Sequence, residues 1–170
     1  MLRKKHPRLQ GIIRYKQGRR VGIFGVLTKK GLQCAFLAQG RINGKSHAAL
    51  VRRHYKGWLR DCQACIHDGE KAFYTNVAKD AYKEAGVVMM KIPPTSPDLN
   101  PIENVWKTLN DRVSETMPPG FESVPHFKKR VRAAVRWVNK NKVEQMKNCV
   151  TSMPRRIQAL LGLNGAMTPY

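Results

Sequence analysis

The chain has 170 residues, enough for one domain with a real core, and 42% of them are hydrophobic, which excludes a disordered polyelectrolyte. It carries 32 Lys and Arg against 11 Asp and Glu, a formal net charge of +21. Such an excess points to nucleic acid as partner, with an anionic membrane as the rival. No run approaches the ~18 apolar residues of a transmembrane helix, and "MLRKKHPRLQ" lacks the apolar stretch of a secretory signal.

Residues 1–18 read as a basic stretch punctuated by Pro7 and Gly11. Residues 21–36 read as two apolar strands around the turn "TKKG", a hairpin. In "SHAALVRRHYKGWLRD", Leu50, Val51, Tyr55, Trp58 and Leu59 recur at helical spacing, with Ser46 as the expected N-cap. "CQACIHDG" is a short strand running into Asp68 and Gly69. "NVAKDAYKEAG" is a helix expected to be capped by Asn76 and stopped by Gly86. "VVMMKIP" is a continuous apolar run, as expected of a strand covered on both faces.

In "SPDLNPIENVWKTLNDRV", Ile102, Val105, Trp106, Leu109 and Val113 form one apolar stripe. Asn100 reads as an N-cap, Pro101 as the first helical residue and Glu103 as the back half of a capping box. "MPPG" ends this helix, and two more follow, around 127–138 and 154–161. Strands alternating with helices after a hairpin imply an α/β sheet with helices on both faces, and Asp68 lies at the carboxyl end of a strand, where ligands collect.

Glu103 borders the apolar stripe and can reach along the sheet toward Asp68. Two carboxylates brought together there would bind a hard divalent cation, Mg²⁺ or Mn²⁺, of the kind used in two-metal phosphodiester chemistry. Of the four cysteines, Cys62 and Cys65 form a lone C-x-x-C with no second ligand pair at zinc spacing, so structural thiols are expected, suited to a reducing compartment. Trp58, Trp106 and Trp137 lie on apolar faces and are expected in the core.

The segment "IHDGEKAFYTNVAKDAYKEAGVVMMKIPPTSPDLNPIENVWKTL" resembles the catalytic core of mariner-like DDE transposases, and "MPRRIQALLGLNGAMTPY" resembles their carboxyl end. The resemblance implies a ribonuclease-H-like mixed sheet flanked by helices, with residues 1–116 as catalytic domain and 117–170 as its helical carboxyl-terminal part. It implies that Asp68 and Glu103, separated by thirty-four residues, are the second and third members of a metal-binding catalytic triad. Gly69 and Ala72 depart from the Asn and His that often follow the second aspartate.

The triad's first aspartate is expected on a strand upstream of the hairpin, yet every carboxylate lies at or after Asp61, and residues 1–60 hold 16 of the 32 basic side chains. Asp61 cannot replace it, being seven residues before Asp68 on the same strand, roughly 20 Å away at ~3.3 Å per residue. The expectation is therefore an amino-terminally truncated domain, lacking its first strand, one ligand and the end-reading modules. Its expected partner is DNA, transposon ends in the family, in the nucleus and without a membrane; a homodimer is compatible.

Basic clusters supply the candidate phosphate contacts: Arg14, Lys16, Arg19 and Arg20; Arg52 and Arg53; and Lys128, Arg132 and Arg136, which form a stripe at i, i+4 and i+8 opposite Val131, Val135 and Val138. A catalytically inactive DNA-binding remnant is the alternative reading, and a basic RNA-binding protein accounts for the charge alone.

Overall fold

The computed structural model describes residues 11–14, 20–37, 42–62, 64–93 and 96–163, with side chains from Val21 onward. Three antiparallel strands form one sheet in the order β1 (Gly11–Arg14), β2 (Arg20–Thr28), β3 (Gly31–Phe36). Lys29 and Lys30 form the two-residue turn of the expected hairpin, and Gly31 follows with φ 128°, in the region that favours glycine. β1 lies within the stretch whose sequence shows only charge.

β2 is apolar on both faces because helices cover both. On one side, Val21 and Ile23 join Leu32 and the buried stripes of α4 (Ile102–Glu115), α5 (Val124–Asn141) and α6 (Val143–Thr151). On the other, Phe24 and Val26 join α1 (Gly44–Leu50), its π-helical continuation Val51–Tyr55 and α3 (Asn76–Ala85). The short α2 (Lys56–Trp58) closes that first helical arm, and Val51, Tyr55 and Leu59, all buried, keep one face inward through the widened turn. Val105, Trp106, Leu109 and Val113 are buried as their spacing predicts.

Four expectations are corrected. Asn43, not Ser46, caps α1: its side chain accepts from the Ser46 N–H at 2.9 Å, while the Ser46 hydroxyl accepts from the Asn43 N–H at 2.9 Å. Ser46 is thus the reciprocal member of the box. Thr75 occupies the N-cap position of α3 and Asn76 is its first residue, whereas Gly86 does end it, with φ 69°. The carboxyl-terminal part contains α6 in addition to the two expected helices; only Lys142 separates it from α5. The last helix is α7 (Met153–Gly162).

The fourth correction concerns β5 (Val88–Lys91). It pairs in parallel with β4 (Ala64–His67) in a separate two-stranded sheet, and Val88 is 63% and Met90 52% exposed. Cys65 and Met89 pack inward against the α1–α3 side, but the opposite face has no helix over it among the described residues. The apolar run is covered on one face.

Two polar devices hold these layers. The Asn139 amide on α5 accepts from the Leu32 N–H at 2.8 Å and donates to the Leu32 carbonyl at 2.9 Å, so a helix side chain pairs with the outer strand as a neighbouring strand would. Inside the second core, the Tyr82 hydroxyl lies 2.6 Å from His47 Nε2 and 2.9 Å from His67 Nε2. Burial pushes the His47 pKa down to about 4 and that of His67 down to about 3, the latter also through His47.

Replacing Asn139 with alanine strands two backbone groups and is expected to lower unfolding free energy by about 2 kcal/mol in urea titrations. Both histidines are neutral when folded and take up protons below pH ~6.5 when unfolded, so their contribution to stability is present above that pH and is lost as pH falls toward 4. Calorimetry of wild type and His47→Gln across pH 4–7 should show a steeper loss in wild type, by about 1.4 kcal/mol per pH unit where one proton is exchanged. Equal slopes would contradict the buried neutral His47.

Candidate functional site

Asp68 immediately follows β4 and is half-buried. Its Oδ1 accepts from the Glu70 N–H at 2.8 Å, closing a local turn. The Tyr74 hydroxyl, from the 3₁₀ turn Lys71–Tyr74, donates to the Asp68 carbonyl at 3.0 Å. Main chain and side chain of Asp68 are therefore both held at the strand end.

Glu103 stands in the first turn of α4, and the turn that precedes it decides its role. Pro97–Leu99 form a 3₁₀ turn in which the Asn100 N–H donates to the Pro97 carbonyl at 3.0 Å. That N–H is the group a capping-box glutamate would accept from, and it is already engaged. Asn100 does not cap α4 with its side chain: the Glu103 N–H donates to the Asn100 backbone carbonyl at 3.1 Å, Pro101 occupies the cap position, and the helix begins at Ile102. The Asn100 amide instead donates to Glu103 Oε1 at 3.3 Å, orienting the carboxylate. The capping reading of Asn100 and Glu103 is overturned.

The other oxygen of Glu103, Oε2, is buried with no hydrogen-bond partner. Its pKa is pushed up to about 7, first by burial and then by the Asp68 carboxylate, so the fold brings these two acidic groups together. No described Lys or Arg forms an ion pair with either, although the chain carries 32 such residues. An orphaned buried carboxylate oxygen beside a second carboxylate, in a strongly basic chain, is what a hard cation fits. Among the described residues no third His, Cys, Asp or Glu joins them. Asp61 is exposed and pairs with Lys30 on the hairpin turn, away from this site.

The sequence reading passed over Arg156. It is buried on α7, donates from Nε to the Ser152 hydroxyl at 2.8 Å and from Nη1 to the Asp98 carbonyl, and so ties α7 to the turn ahead of Glu103. No local pattern distinguishes it from its exposed neighbour Arg155 except its place four residues after Ser152.

The thiols do not form a site: burial raises Cys34 and Cys65 to about 12, keeping both protonated. Of the basic candidates, Lys16 and Arg19 lie outside the described residues, and Arg14 and Arg20 are described in backbone only. Arg52 makes a two-point pair with Glu84 at 2.7 and 3.0 Å, while Arg53 is exposed. Lys128 and Arg132 lie over the Phe36 ring, 5.4 and 4.8 Å from its centre, and Arg136 is exposed along the same stripe. Trp106 is buried, whereas Trp58 and Trp137 are half-buried, Trp58 stacked on His54 and Trp137 beneath Arg112.

The sequence matches the family described as DDE superfamily endonuclease over residues 3–124. It is 26% identical over 158 residues to the transposable element Tc3 transposase of Caenorhabditis elegans, a match covering 90% of this chain and 46% of that protein, so the chain spans about half the length of this curated relative. The fold is similar to that of the Mos1 mariner transposase catalytic domain (TM-score 0.70, 16% identity, 91% of this chain and 78% of that one). It also resembles the Mos1 transposase paired-end complex with left transposon end (TM-score 0.72, 14% identity, 99% of this chain and 50% of that one). The mixed α/β, ribonuclease-H-like architecture expected from the sequence is the observed one.

Ionised Glu103 opposes folding, since its folded pKa lies above the ordinary carboxylate value; the penalty is absent below pH ~4.5 and complete above pH 7. Metal-free Glu103→Gln is therefore expected to melt at the same temperature as wild type at pH 4.5 and above it at pH 8. A wild type that is the more stable at pH 8 would remove the buried-carboxylate reading.

Proposed function

This chain belongs to the DDE superfamily of endonucleases, and on that premise we propose that it binds a divalent cation through Asp68 and Glu103 and engages DNA through its basic surface, as the catalytic domain of a mariner-like transposase. The observation that carries this reading is the unpartnered, buried Oε2 of Glu103 next to Asp68. Mg²⁺ or Mn²⁺ suits this donor set, which is all carboxylate oxygen, and would supply charge stabilisation for the cleavage and rejoining of phosphodiesters. Asn100 fixes the Glu103 carboxylate, and the turn at Glu70 together with Tyr74 fixes Asp68. Lys128, Arg132 and Arg136 hold backbone phosphates, and the nucleus is the compartment that follows from a DNA substrate. Mg and Mn structures of the Mos1 catalytic domain are consistent with the same cations here.

A second reading, DNA binding without cleavage, is favoured by one observation: only two carboxylates converge among the described residues. Two ligands hold two metals weakly, and two-metal catalysis needs both.

Three measurements test the proposal. In a Mn²⁺ titration, Asp68→Asn and Glu103→Gln should each bind at least tenfold more weakly than wild type; equal affinities would sink the cation site. Residues 1–170 are expected to bind Mn²⁺ and DNA without nicking a plasmid, and Mn²⁺-dependent nicking lost in both variants would establish catalysis by this chain alone. Duplex affinity should fall by roughly 0.9 log units per phosphate contact for each decade of salt. Joint replacement of Lys128, Arg132 and Arg136 by glutamine should flatten that slope, and an unchanged slope would detach the stripe from DNA.

A further inference from the structure

A buried charge needs a reason, and Arg156 is only 3% exposed. Desolvating a guanidinium is costly, and a packed apolar side chain in such a place is often no less stable. What arginine supplies and leucine does not is direction, because its planar fork sends donors along fixed lines.

Those lines lead to two places. Nε donates to the Ser152 hydroxyl at 2.8 Å, and that hydroxyl donates in turn to the Cys149 carbonyl at 2.7 Å. Cys149 lies on α6, buried in the core that also holds the α4 stripe. One arm of the fork is therefore anchored in the layer that packs against α4. Nη1 donates to the Asp98 carbonyl, in the 3₁₀ turn that leads into α4.

From Asp98 the path to Glu103 is short. The turn is closed by the Leu99 N–H, which donates to the Ser96 carbonyl at 3.2 Å, and by the Asn100 N–H on the Pro97 carbonyl at 3.0 Å. Its next residue, Asn100, sends its side-chain amide to Glu103 Oε1 at 3.3 Å. Glu103 Oε2 has no partner among the described residues. The aim of the carboxylate thus depends on where the turn holds Asn100, and Arg156 is what fastens that turn to the helices behind it.

We propose that Arg156 is a positioning residue for the cation site: from α7 it holds the turn at Asp98 so that Asn100 presents the Glu103 carboxylate beside Asp68. The inference rests on the reading of Asp68 and Glu103 as cation ligands, and it makes α7 a part of that site although α7 supplies no ligand.

The sign of the effect separates positioning from plain charge. By Coulomb's law alone, removing a cation near two carboxylates tightens a bound metal ion and makes the carboxylates harder to ionise. Loss of positioning does the reverse on both counts: the metal ion is held more weakly, and a Glu103 side chain released toward water ionises more easily.

The test uses the full 170-residue chain as wild type, Arg156→Gln, Arg156→Lys, Glu103→Gln and the double variant Arg156→Gln with Glu103→Gln. Arg155→Gln, which removes the same charge from the exposed neighbour, is the control. Mn²⁺ affinity is read by electron paramagnetic resonance, and the Glu103 carboxyl by carbon-13 NMR without metal. Arg156→Gln should weaken Mn²⁺ at least about fivefold, and in the Glu103→Gln background it should add no further loss, because the two residues act as one unit. The Glu103 carboxyl, which titrates at about 7 in wild type, should move toward 4.5 in Arg156→Gln and stay in place in Arg155→Gln. Arg156→Lys keeps the charge but cannot span both acceptors; it should shift both readouts in the same direction, and it carries the test where the glutamine variant does not fold. Unchanged or tighter Mn²⁺ binding in the folded Arg156 variants, or losses that add in the double variant, would overturn the proposal. If Glu103→Gln itself leaves Mn²⁺ affinity unaltered, the cation reading fails, and the metal-free titration decides the role of Arg156 alone. A Glu103 carboxyl still titrating near 7 in Arg156→Lys would then overturn positioning, and a fall would uphold it.

Discussion

Trp106 rests so closely on β2 that a Cβ at Gly25 would lie 2.5 Å from its ring. No side chain larger than hydrogen fits there unless the indole moves, and the indole is buried in the core around α4. This contact sets the height of α4 over the sheet. Glu103 is three residues before Trp106, on the neighbouring turn and the same side of the helix, so the approach that glycine permits also decides how near Glu103 comes to the strand ends. The other end of the constraint is Arg156, which fastens the turn at Asp98 to α7. Glu103 is held between a close packing contact behind it and a hydrogen-bonded turn ahead of it.

Charge is distributed with the same selectivity. Four of the five described ion pairs are exposed and contribute little to stability. The fifth, Arg130 with Glu122, is largely buried at 2.6 Å, and Arg130 also donates to the Val113 carbonyl at the end of α4. That pair is satisfied on several sides, which is the condition for a buried charge to be tolerated. Arg130 is thus a structural cation within a helix whose basic stripe, half-buried Lys128 with exposed Arg132 and Arg136, has no described carboxylate partner. The sequence lists these arginines and lysines alike; what separates Arg130 is its pairing with Glu122 and the Val113 carbonyl.

What could be read from the sequence follows from the range of the interactions involved. The hairpin, the α4 stripe and the stop at Gly86 rest on residues close in sequence, and each is where its pattern put it. That Asp68 and Glu103 lie together could not be read from their spacing of thirty-four residues; the fold brings them together, and only the family resemblance singled out the pair. The caps were misread because Ser46 and Asn76 are good capping residue types one to three positions from the groups that cap, and only backbone angles choose between them. The capping half of the reading of Glu103 fails for a similar reason: its expected partner, the Asn100 N–H, is taken by the carbonyl of Pro97, three residues before the capping pattern begins. The exposure of Val88 and Met90 had no local signal at all, since an apolar strand reads the same whether or not a neighbour covers its second face.

That exposure and the isolation of the acidic pair have one geometric origin. β4 delivers Asp68 at its carboxyl end, yet among the described residues β4 is joined to β2 only through the helices that flank both. The position of Asp68 relative to Glu103 therefore depends on packing through Tyr55, Phe73 and Tyr82 on one side and Ile102 and Trp106 on the other, with no backbone ladder linking the two strands. Side-chain packing tolerates small displacements that a hydrogen-bonded ladder does not.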